Sequence, residues 1–419
     1  MESDTNKYIL SNVFKSFFIT GIFQATIMNL SIIVDGILIG NFLGVNAIAA
    51  FGIITPIELL LMVIGLLFSQ GGLILSSKYL GRNDKESSNQ IFTTVCLLGV
   101  FFGLLIAGLL FLFSENVSVF FGANTNIITL SSDFLKGISF GVIFYILELI
   151  LMKYTKMDGS NNLTIYATIC SLITNVLLDL IVIFMFNGHL FGIGLATSIS
   201  YLVGFLVYLT HFLKEKNSIH LTKITNIKSH ILNISKSGSS GALNKLLTTT
   251  SRICLNNLII IIGGTLAMGS LSIFFTIYNL ICDLIHNAIA EPILTISGLL
   301  YGASDYSSLK RMFEIYLRNS IIFSLILTVI LLLFATNIVS LYTSDIELIN
   351  RASFGIKLFS LSLIPVNLNY ILLNHYNSIN KIVYSNYISF AKNFIFLFIP
   401  FFIFEPFIGV DAVWVAFCL

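Results

Sequence analysis

The sequence predicts an all-α protein that spans a membrane many times and consists of two parallel repeats of six helices. Of its 419 residues, 56% are hydrophobic and 10% are charged, whereas soluble proteins contain about 25% charged residues. Long apolar runs recur along the chain, and polar residues of its two halves match at one spacing. Because one spanning helix takes about 20 apolar residues, this length accommodates roughly twelve spans. The composition excludes a soluble globular fold.

The apolar runs are helical by length, and open sheet edges are not viable in lipid. Six runs precede a polar stretch, at about 14–40, 48–77, 90–113, 134–152, 164–186 and 190–213. Five complete runs and one incomplete run follow it, at about 237–263, 267–300, 312–336, 354–374, 383–404 and 409–419.

The two halves repeat at an offset of 221 residues. Polar and loop residues keep this offset without a gap: the matched pairs include Asp84 with Asp305, Asn116 with Asn337, Lys136 with Lys357 and Ser139 with Ser360. Six helices per half give both halves the same orientation, related by an axis along the membrane normal. We therefore predict an N-lobe over residues 1–213, a linker over 214–236 and a C-lobe over 237–419.

The offset also bears on the twelfth helix. The sixth run ends near residue 213, so its repeat would end near residue 434, and the sequence stops at Leu419. The part of the twelfth helix that is present is too short to cross a bilayer. We expect eleven complete spans and a partial one, which means either a truncated chain or a C-lobe that lacks one wall.

Basic residues predict the orientation. Loops on one side carry Lys and Arg repeatedly, from Lys78 and Arg82 to Lys381, whereas the opposite loops carry one basic residue, Arg351. Lys- and Arg-rich loops are typical of the cytoplasmic side. We therefore predict a multi-pass protein of the cell membrane with a cytoplasmic N-terminus. The linker 214–236 is either an amphipathic helix at the interface or a solvated connection.

Several function classes are excluded or disfavoured. A net charge of +2 without clustered basic residues excludes nucleic-acid binding. The five cysteines form no C-x-x-C pair, and neither nucleotide-binding nor hydrolase motifs occur. We therefore expect neither enzyme activity nor a cofactor. Transport would then be driven by an ion gradient or occur by passive flow. We also expect the lipid bilayer as surroundings and a monomer as the working unit.

Four polar residues inside the first lobe's apolar runs predict a cation site. A charge in a span costs about 2.5–3.5 kcal/mol on insertion scales, so each one needs a reason. The spacing i, i+4 places Asn175 and Asp179 on one helix face, and a turn at 187–189 sets Thr197 at the depth of Asp179. Asp35 lies at a similar depth in the first span. Together these groups could coordinate Na⁺ or share a proton; alternatively, Asn175 and Thr197 only tie helices together.

Other polar groups in the spans are candidates for a substrate cavity. Glu148 and Asn369 match across the 221 offset, as do Gln70 and Glu291. Glu148 has two open interpretations: it contacts the substrate or a proton, or it forms a salt bridge. For Glu291, a local structural pairing also fits. Glu58 either faces the interior or reaches the interface.

The chain resembles the multidrug and toxin extrusion (MATE) family. The similar segments are Asp35 to Pro56, Gln70-Gly71 with Gly81-Arg82-Asn83-Asp84, Met157 to Asn161, Asn175-x-x-x-Asp179, and Gly192-x-Gly194-x-Ala196-Thr197. The Asp158-Gly159 loop is similar to the MepA-like branch. The resemblance implies two six-helix lobes around a central cavity that opens to each side in turn.

The resemblance also implies a function and its residues. It implies export of organic cations against Na⁺ or H⁺ entry, with the family's N-lobe cation site on Asp35, Asn175, Asp179 and Thr197. Where some members place acids in the seventh and tenth helices, this sequence has Asn244, Thr248, Asn367 and Asn369. We therefore do not expect a C-lobe cation site, and Asn244 joins the candidates for the substrate cavity.

Our main hypothesis is a cation-coupled efflux antiporter for small organic cations. The alternative is a flippase of lipids or lipid-linked oligosaccharides, which would hold a pyrophosphate with several cationic residues. The sequence offers Lys245 and Arg252 at membrane depth, and we expect Lys392 nearer the end of its span. A membrane protein that does not transport would not need buried carboxylates.

Overall fold

The computed structural model describes residues 2–123, 125, 127–186, 189–214, 217–343 and 345–418, and the side chains of these except at 2–7, 32, 40, 41, 45, 48, 49, 53–55, 260 and 265. None of the described residues lies in a β-strand. The all-α fold class is therefore confirmed.

The described residues of the first half form eight α-helices. They are α1 (Glu2–Leu38), α2 (Val45–Gly81), α3 (Lys85–Leu112), α4 (Ser114–Phe120), α5 (Ile128–Ser139), α6 (Val142–Met157), α7 (Asn161–Met185) and α8 (Leu190–Phe212). A π-helical turn, Ile39–Leu43, follows α1.

The second half continues with α9 to α16. These are α9 (Ile227–Ile285), α10 (Glu291–Gly302), α11 (Tyr306–Ser340), α12 (Ile346–Leu361), α13 (Leu363–Ser378), α14 (Ile382–Phe390), α15 (Phe396–Ile408) and α16 (Ala412–Cys418). Helix α9 has a break at Gly264, where φ is 66° and ψ is −162°. π-Helical turns at His286–Ala290 and Ala391–Ile395 interrupt the later spans.

Within the described part of the chain, eight helices are long and apolar enough to cross a membrane, and two bent pairs raise that number to ten. The pairs α5–α6 and α12–α13 bend by 51° and 57°. The arm of α9 that precedes Gly264 is not among the ten. It is as long as α1, its repeat partner, but it carries Lys228, Lys236, Lys245 and Arg252.

The 221-residue repeat is visible in the backbone. Helices α6 and α13 both begin and end at matching positions, and α2 and α10 end at matching positions. Asp84 and Asp305 each cap the next helix, and each accepts a hydrogen bond of 3.0 Å from the backbone N–H three residues on. The preceding residues, Asn83 and Ser304, both have positive φ, at 62° and 58°. Two halves with this agreement are structural repeats.

The chain separates into two compact units. The N-unit is Ile19–Ala242, and the C-unit is Met1–Phe18 with Leu243–Leu419. The start of α1 thus packs in the C-unit, where the Phe14 and Tyr316 rings lie 5.6 Å apart. Residues 227–242 pack in the N-unit, where a Cβ on Gly238 would lie 1.8 Å from the Leu67 carbonyl oxygen. The lobe boundaries drawn from the sequence at 213 and 237 stay a prediction.

The segment before α9 is neither a helix nor a free connection. Residues 217–226 run along the start of α3, where the Asn89 side chain accepts from the His220 N–H at 3.1 Å and the Thr93 hydroxyl accepts from the Thr222 N–H at 2.9 Å. Asp158 accepts from the Ser218 N–H at 3.2 Å and pairs with His211 at 2.9 Å. These bonds hold the segment in place on the N-unit.

Helices α5 and α8 pack with their backbones in contact. A Cβ on Gly194 would lie 2.5 Å from the Phe134 carbonyl oxygen, and one on Gly137 would lie 2.3 Å from the Phe191 carbonyl oxygen. Ser198 donates to the Gly137 carbonyl at 2.8 Å. Small residues allow this approach, which is typical of helix pairs in membranes. The contact fixes α8, which carries Thr197.

In the C-unit, the last described helix docks by its aromatic residues. Trp414 is 1% exposed, lies 5.2 Å from the Phe274 ring, and donates to Asp411 at 3.2 Å. Ser362, at the bend between α12 and α13, donates to the Phe417 carbonyl at 3.0 Å. Helix α16 covers the positions that match residues 191–197, and so corresponds to the opening part of α8.

The close packing of α5 on α8 leads to a first prediction. Gly194→Ala should lower the melting temperature of the detergent-purified protein, because overpacking costs about 1–3 kcal/mol. Gly108→Ala is the matched control, since a Cβ there meets nothing within 4 Å, and it should leave the melting temperature unchanged or raise it. Equal melting temperatures for the two variants would contradict the contact.

The helix cap of α3 gives a pH-dependent prediction. Hydrogen bonds from the side chain and backbone of Ser87 lower the pKa of Asp84 below its ordinary value. A lowered pKa in the folded state means that the cap stabilises above the unfolded pKa of about 4, and that this stability is lost as the pH falls. Asp84→Ala should thus reduce the unfolding free energy by about 1 kcal/mol at pH 7, and by less at pH 3. The free energy of unfolding is measured by denaturant titration followed by circular dichroism. If Asp84→Ala lowered it equally at pH 7 and pH 3, the assignment of Asp84 as a charged helix cap would be contradicted.

Candidate functional site

Two carboxylates meet inside the N-unit. Asp35 on α1 and Asp179 on α7 face each other within reach of a side-chain hydrogen bond. Asp179 is fully buried, and neither of its oxygens, nor Oδ1 of Asp35, receives a hydrogen bond from a described residue. Two neighbouring carboxylates repel each other when both are charged. A proton or a cation between them would remove that repulsion.

Asn175 and a serine extend the site by one helical turn. Asn175 lies four residues before Asp179 on α7, and Ser31 lies four residues before Asp35 on α1. The Ser31 hydroxyl donates to Asn175 Oδ1 at 3.3 Å, and Nδ2 of Asn175 is buried without a partner among the described residues. The two helix faces therefore lie side by side. The sequence analysis missed Ser31, although its spacing from Asp35 places it on the same face.

Thr197 lies close in depth, but slightly off the predicted level. Ser171 donates to the Ser200 carbonyl at 3.1 Å, and a Cβ on Gly192 would lie 2.6 Å from Val182. This register puts Thr197 opposite residues 174–177, so level with Asn175 and not with Asp179. Its hydroxyl donates to the Ile193 carbonyl at 3.1 Å, which leaves an oxygen lone pair to offer. The turn residues 187 and 188 lie outside the described residues.

The donor set of this site fits a monovalent cation. It contains two carboxylates, an amide and two hydroxyls, which are hard oxygen ligands. The described residues contain no group of three or more His, Cys, Asp and Glu side chains of the kind that holds a metal ion through several charged ligands. The two carboxylates can hold one Na⁺ with the neutral oxygens, or one shared proton.

A second acidic group lies next to Asp35. Glu58 interacts electrostatically with Asp35, and Tyr145 and Tyr201 interact with Glu58 and Glu148. The two tyrosine rings lie 4.9 Å apart. Glu148 packs on α8, where a Cβ on Gly204 would lie 2.3 Å from its Oε1. Glu58 thus faces the interior of the N-unit, and the tyrosines are members that the sequence analysis missed.

The other candidates for the substrate cavity lie elsewhere. Gln70 is 5% exposed, and its side-chain oxygen lies where a Cβ on Gly241 would be. Glu291 is 2% exposed and begins α10. Asn244 accepts from Asn393 at 3.4 Å in the C-unit. Asn369 lines a pocket within the C-unit.

The C-unit has no matching pair of carboxylates. At the 221 offset, Asp35 matches Asn256 and Asp179 matches Pro400. Asn175 and Thr197 match Phe396 and Cys418. At these four matched positions, carboxylates occur in the first repeat only. The lack of a C-lobe cation site stays a prediction. Lys392 was expected near the end of its span. In the structure it lines the C-unit pocket together with Arg252.

The chain matches known membrane transporters in sequence. The profile of the MatE family matches residues 21–181 and 242–403, two segments that begin 221 residues apart. The multidrug export protein MepA of Staphylococcus saprophyticus is 24% identical over 338 residues, which cover 79% of this chain and 74% of that protein. The protein of the same name from Staphylococcus aureus is also 24% identical over 338 residues.

Solved structures match the fold. The Vibrio cholerae MATE transporter VcmN in its bent form superposes with a TM-score of 0.91 at 18% identity, over 99% of this chain and 94% of that chain. An outward-facing multidrug resistance transporter of the MATE family superposes with a TM-score of 0.91 at 16% identity, over 98% and 92%. At these identities the structures establish the fold. Since the family profile covers both repeats and most of the sequence, the chain belongs to the MatE family of multi-pass membrane transporters.

Proposed function

We propose that this protein is a cation-coupled antiporter that exports small organic cations from the cell. The observation that carries the proposal is the Asp35–Asp179 pair, whose buried oxygens lack hydrogen-bond donors among the described residues. Such a pair favours the uptake of one H⁺ or Na⁺. The relatives named multidrug export proteins support the same direction of transport.

The acidic and aromatic group beside the pair suits the proposed substrate. Glu58 and Glu148 supply carboxyl groups, and the rings of Tyr145 and Tyr201 supply faces that attract cations. An organic cation held there lies near Asp35, so a coupling cation at Asp35 and Asp179 would repel it. Each cation then weakens the binding of the other, and this reciprocal effect is the basis of exchange.

Exchange requires two orientations of the transporter. If the coupling cation binds one orientation more tightly, its entry shifts the population toward that orientation. The substrate cation, bound to the other orientation, is carried the opposite way. The Lys- and Arg-rich loops support a cytoplasmic N-terminus in the cell membrane. We propose that a monomer performs the cycle.

The alternative function, transport of a lipid or lipid-linked oligosaccharide, has one observation in its favour. Arg252 and Lys392 line a single pocket of the C-unit, and cationic side chains are what a pyrophosphate group requires. The acidic group of the N-unit does not serve such a substrate. Export of ethidium by cells that carry the gene would favour the antiporter.

The cation pair predicts the effect of neutral variants. Asp35→Asn and Asp179→Asn should each reduce ion-driven ethidium transport in inverted vesicles by at least tenfold, because an amide cannot take up the coupling charge. Asp133→Asn, at an exposed position of the same unit, is the control and should transport normally. Expression of all variants is measured by immunoblot. Normal transport by both site variants would refute the site assignment.

The coupling ion is tested by separate gradients. With an imposed pH gradient or an imposed Na⁺ gradient across proteoliposomes, one of the two should accelerate ethidium transport severalfold over the rate without a gradient. Asp179→Asn should remove that acceleration, because the driving ion binds at this carboxylate. A wild-type rate that responds to neither gradient would contradict coupling, whatever the substrate.

A further inference from the structure

The C-unit contains a pocket of its own with two cationic side chains. It lies between α9, the α12–α13 bend, the α14–α15 span and α16, and has about 760 Å³ of free space, including its open mouth. Arg252 and Lys392 line it together with Phe275, Tyr278, Thr248 and Asn369. All of these residues belong to one compact unit. The pocket is thus distinct from the Asp35–Asp179 site.

Arg252 is held by an aromatic ring and an amide. Its guanidinium lies 4.3 Å from the centre of the Phe275 ring and donates to Asn279 Oδ1 at 2.5 Å. It forms no ion pair with a carboxylate among the described residues. A guanidinium has five N–H donors in a planar arrangement that matches a carboxylate or phosphate. The ring and the amide orient this donor set without neutralising its charge.

Lys392 is in a similar position across the pocket. Its ammonium group lies 4.1 Å from the centre of the Tyr370 ring, and the described residues supply no ion pair for it either. The nearby acid is Asp283, which interacts electrostatically with both Arg252 and Lys245 and does not line the pocket. Arg252 and Lys245 therefore share one acidic neighbour. Cationic groups at membrane depth are costly unless they are paired.

The 221-residue repeat relates residues of this pocket to residues in and around the acidic site, and the charges at the matched positions differ. At the 221 offset, cationic residues stand where the N-unit has serines, and amides stand where it has carboxylates. The matched pairs are Arg252 with Ser31, Lys392 with Ser171, Asn279 with Glu58, and Asn369 with Glu148. At these places the second repeat is therefore more basic and less acidic than the first.

We propose that this pocket binds the anionic group of an amphipathic organic molecule, a carboxylate or a phosphate ester on an aromatic or apolar body. Arg252 and Lys392 pair with the anion through charge-assisted hydrogen bonds. The rings of Phe275, Tyr278 and Phe359 contact the apolar body. The inference goes beyond the proposed export of cations, and it does not depend on ion coupling, because it concerns equilibrium binding to a different unit.

The test uses two ligands of the same shape and different charge. 2-Naphthoate carries the anionic group, and 2-naphthamide replaces it with a neutral amide. Isothermal titration of the purified full chain in a neutral detergent should show at least tenfold tighter binding of 2-naphthoate than of 2-naphthamide. Equal affinity for the two ligands would overturn the proposal.

Variants test whether the preference for 2-naphthoate over 2-naphthamide arises at this pocket. Arg252→Gln and Lys392→Gln should each lose most of the tenfold preference, whereas Arg252→Lys and Lys392→Arg should keep part of it. Lys245→Gln is the matched control, since Lys245 is a half-buried basic residue of the same unit that does not line the pocket. Each variant is checked for a single gel-filtration peak. A preference that survives Arg252→Gln and Lys392→Gln, or that Lys245→Gln also removes, would overturn the assignment.

Two sources could supply the anionic group, and a second titration separates them. In nanodiscs of phosphatidylcholine alone, 2-naphthoate should bind as in detergent. If added phosphatidylglycerol weakens this binding in the wild type and not in Arg252→Gln, the natural ligand is a lipid phosphate. If it has no effect, the natural ligand is a soluble amphipathic anion. Failure of ethidium transport would leave both titrations unchanged, so the two proposals fail separately.

Discussion

The proposed function depends on the close approach of two carboxylates, Asp35 and Asp179, in a protein with few charges. Two charged groups of the same sign at membrane depth cost more than either alone. The N-unit provides no hydrogen-bond donor to three of their four oxygens among the described residues. A proton or a cation between the carboxylates would remove this cost. This is the physical reason for our proposal that the site takes up a coupling ion.

The repeated backbone accounts for the two kinds of site that we propose. The repeats agree in helix limits, in the capping aspartates Asp84 and Asp305, and in the bends of α5–α6 and α12–α13. Their polar residues differ where the chemistry differs. The first repeat places carboxylates at positions where the second places amides, and the second places Arg252 and Lys392 at positions where the first places serines. The shared backbone sets where a ligand can lie, and the side chains decide its charge.

The sequence predicted the helical class, the repeat offset, and the meeting of Asp35 with Asp179, because a charge in an apolar run is visible without a structure. Asn175 followed from its spacing on the same helix. Ser31, Tyr145 and Tyr201 could not be predicted, since serine and tyrosine are ordinary residues in spans and only packing shows which of them turn toward a site. The pairing of Arg252 with Lys392 was missed for a related reason: the residues lie on different spans, and side-chain direction decides whether they share a pocket. The path of residues 217–226 could not be predicted either, because it depends on hydrogen bonds to Asn89 and Thr93, which lie far earlier in the chain.

The central claim is that the Asp35–Asp179 pair takes up the coupling ion. Infrared difference spectroscopy of the purified protein tests this directly, because it records the change in carboxyl and carboxylate bands when the pH or the Na⁺ concentration is changed. The account predicts a band change in the wild type that is absent from both Asp35→Asn and Asp179→Asn and present in Asp133→Asn. A band change that persists unaltered in both site variants would contradict it.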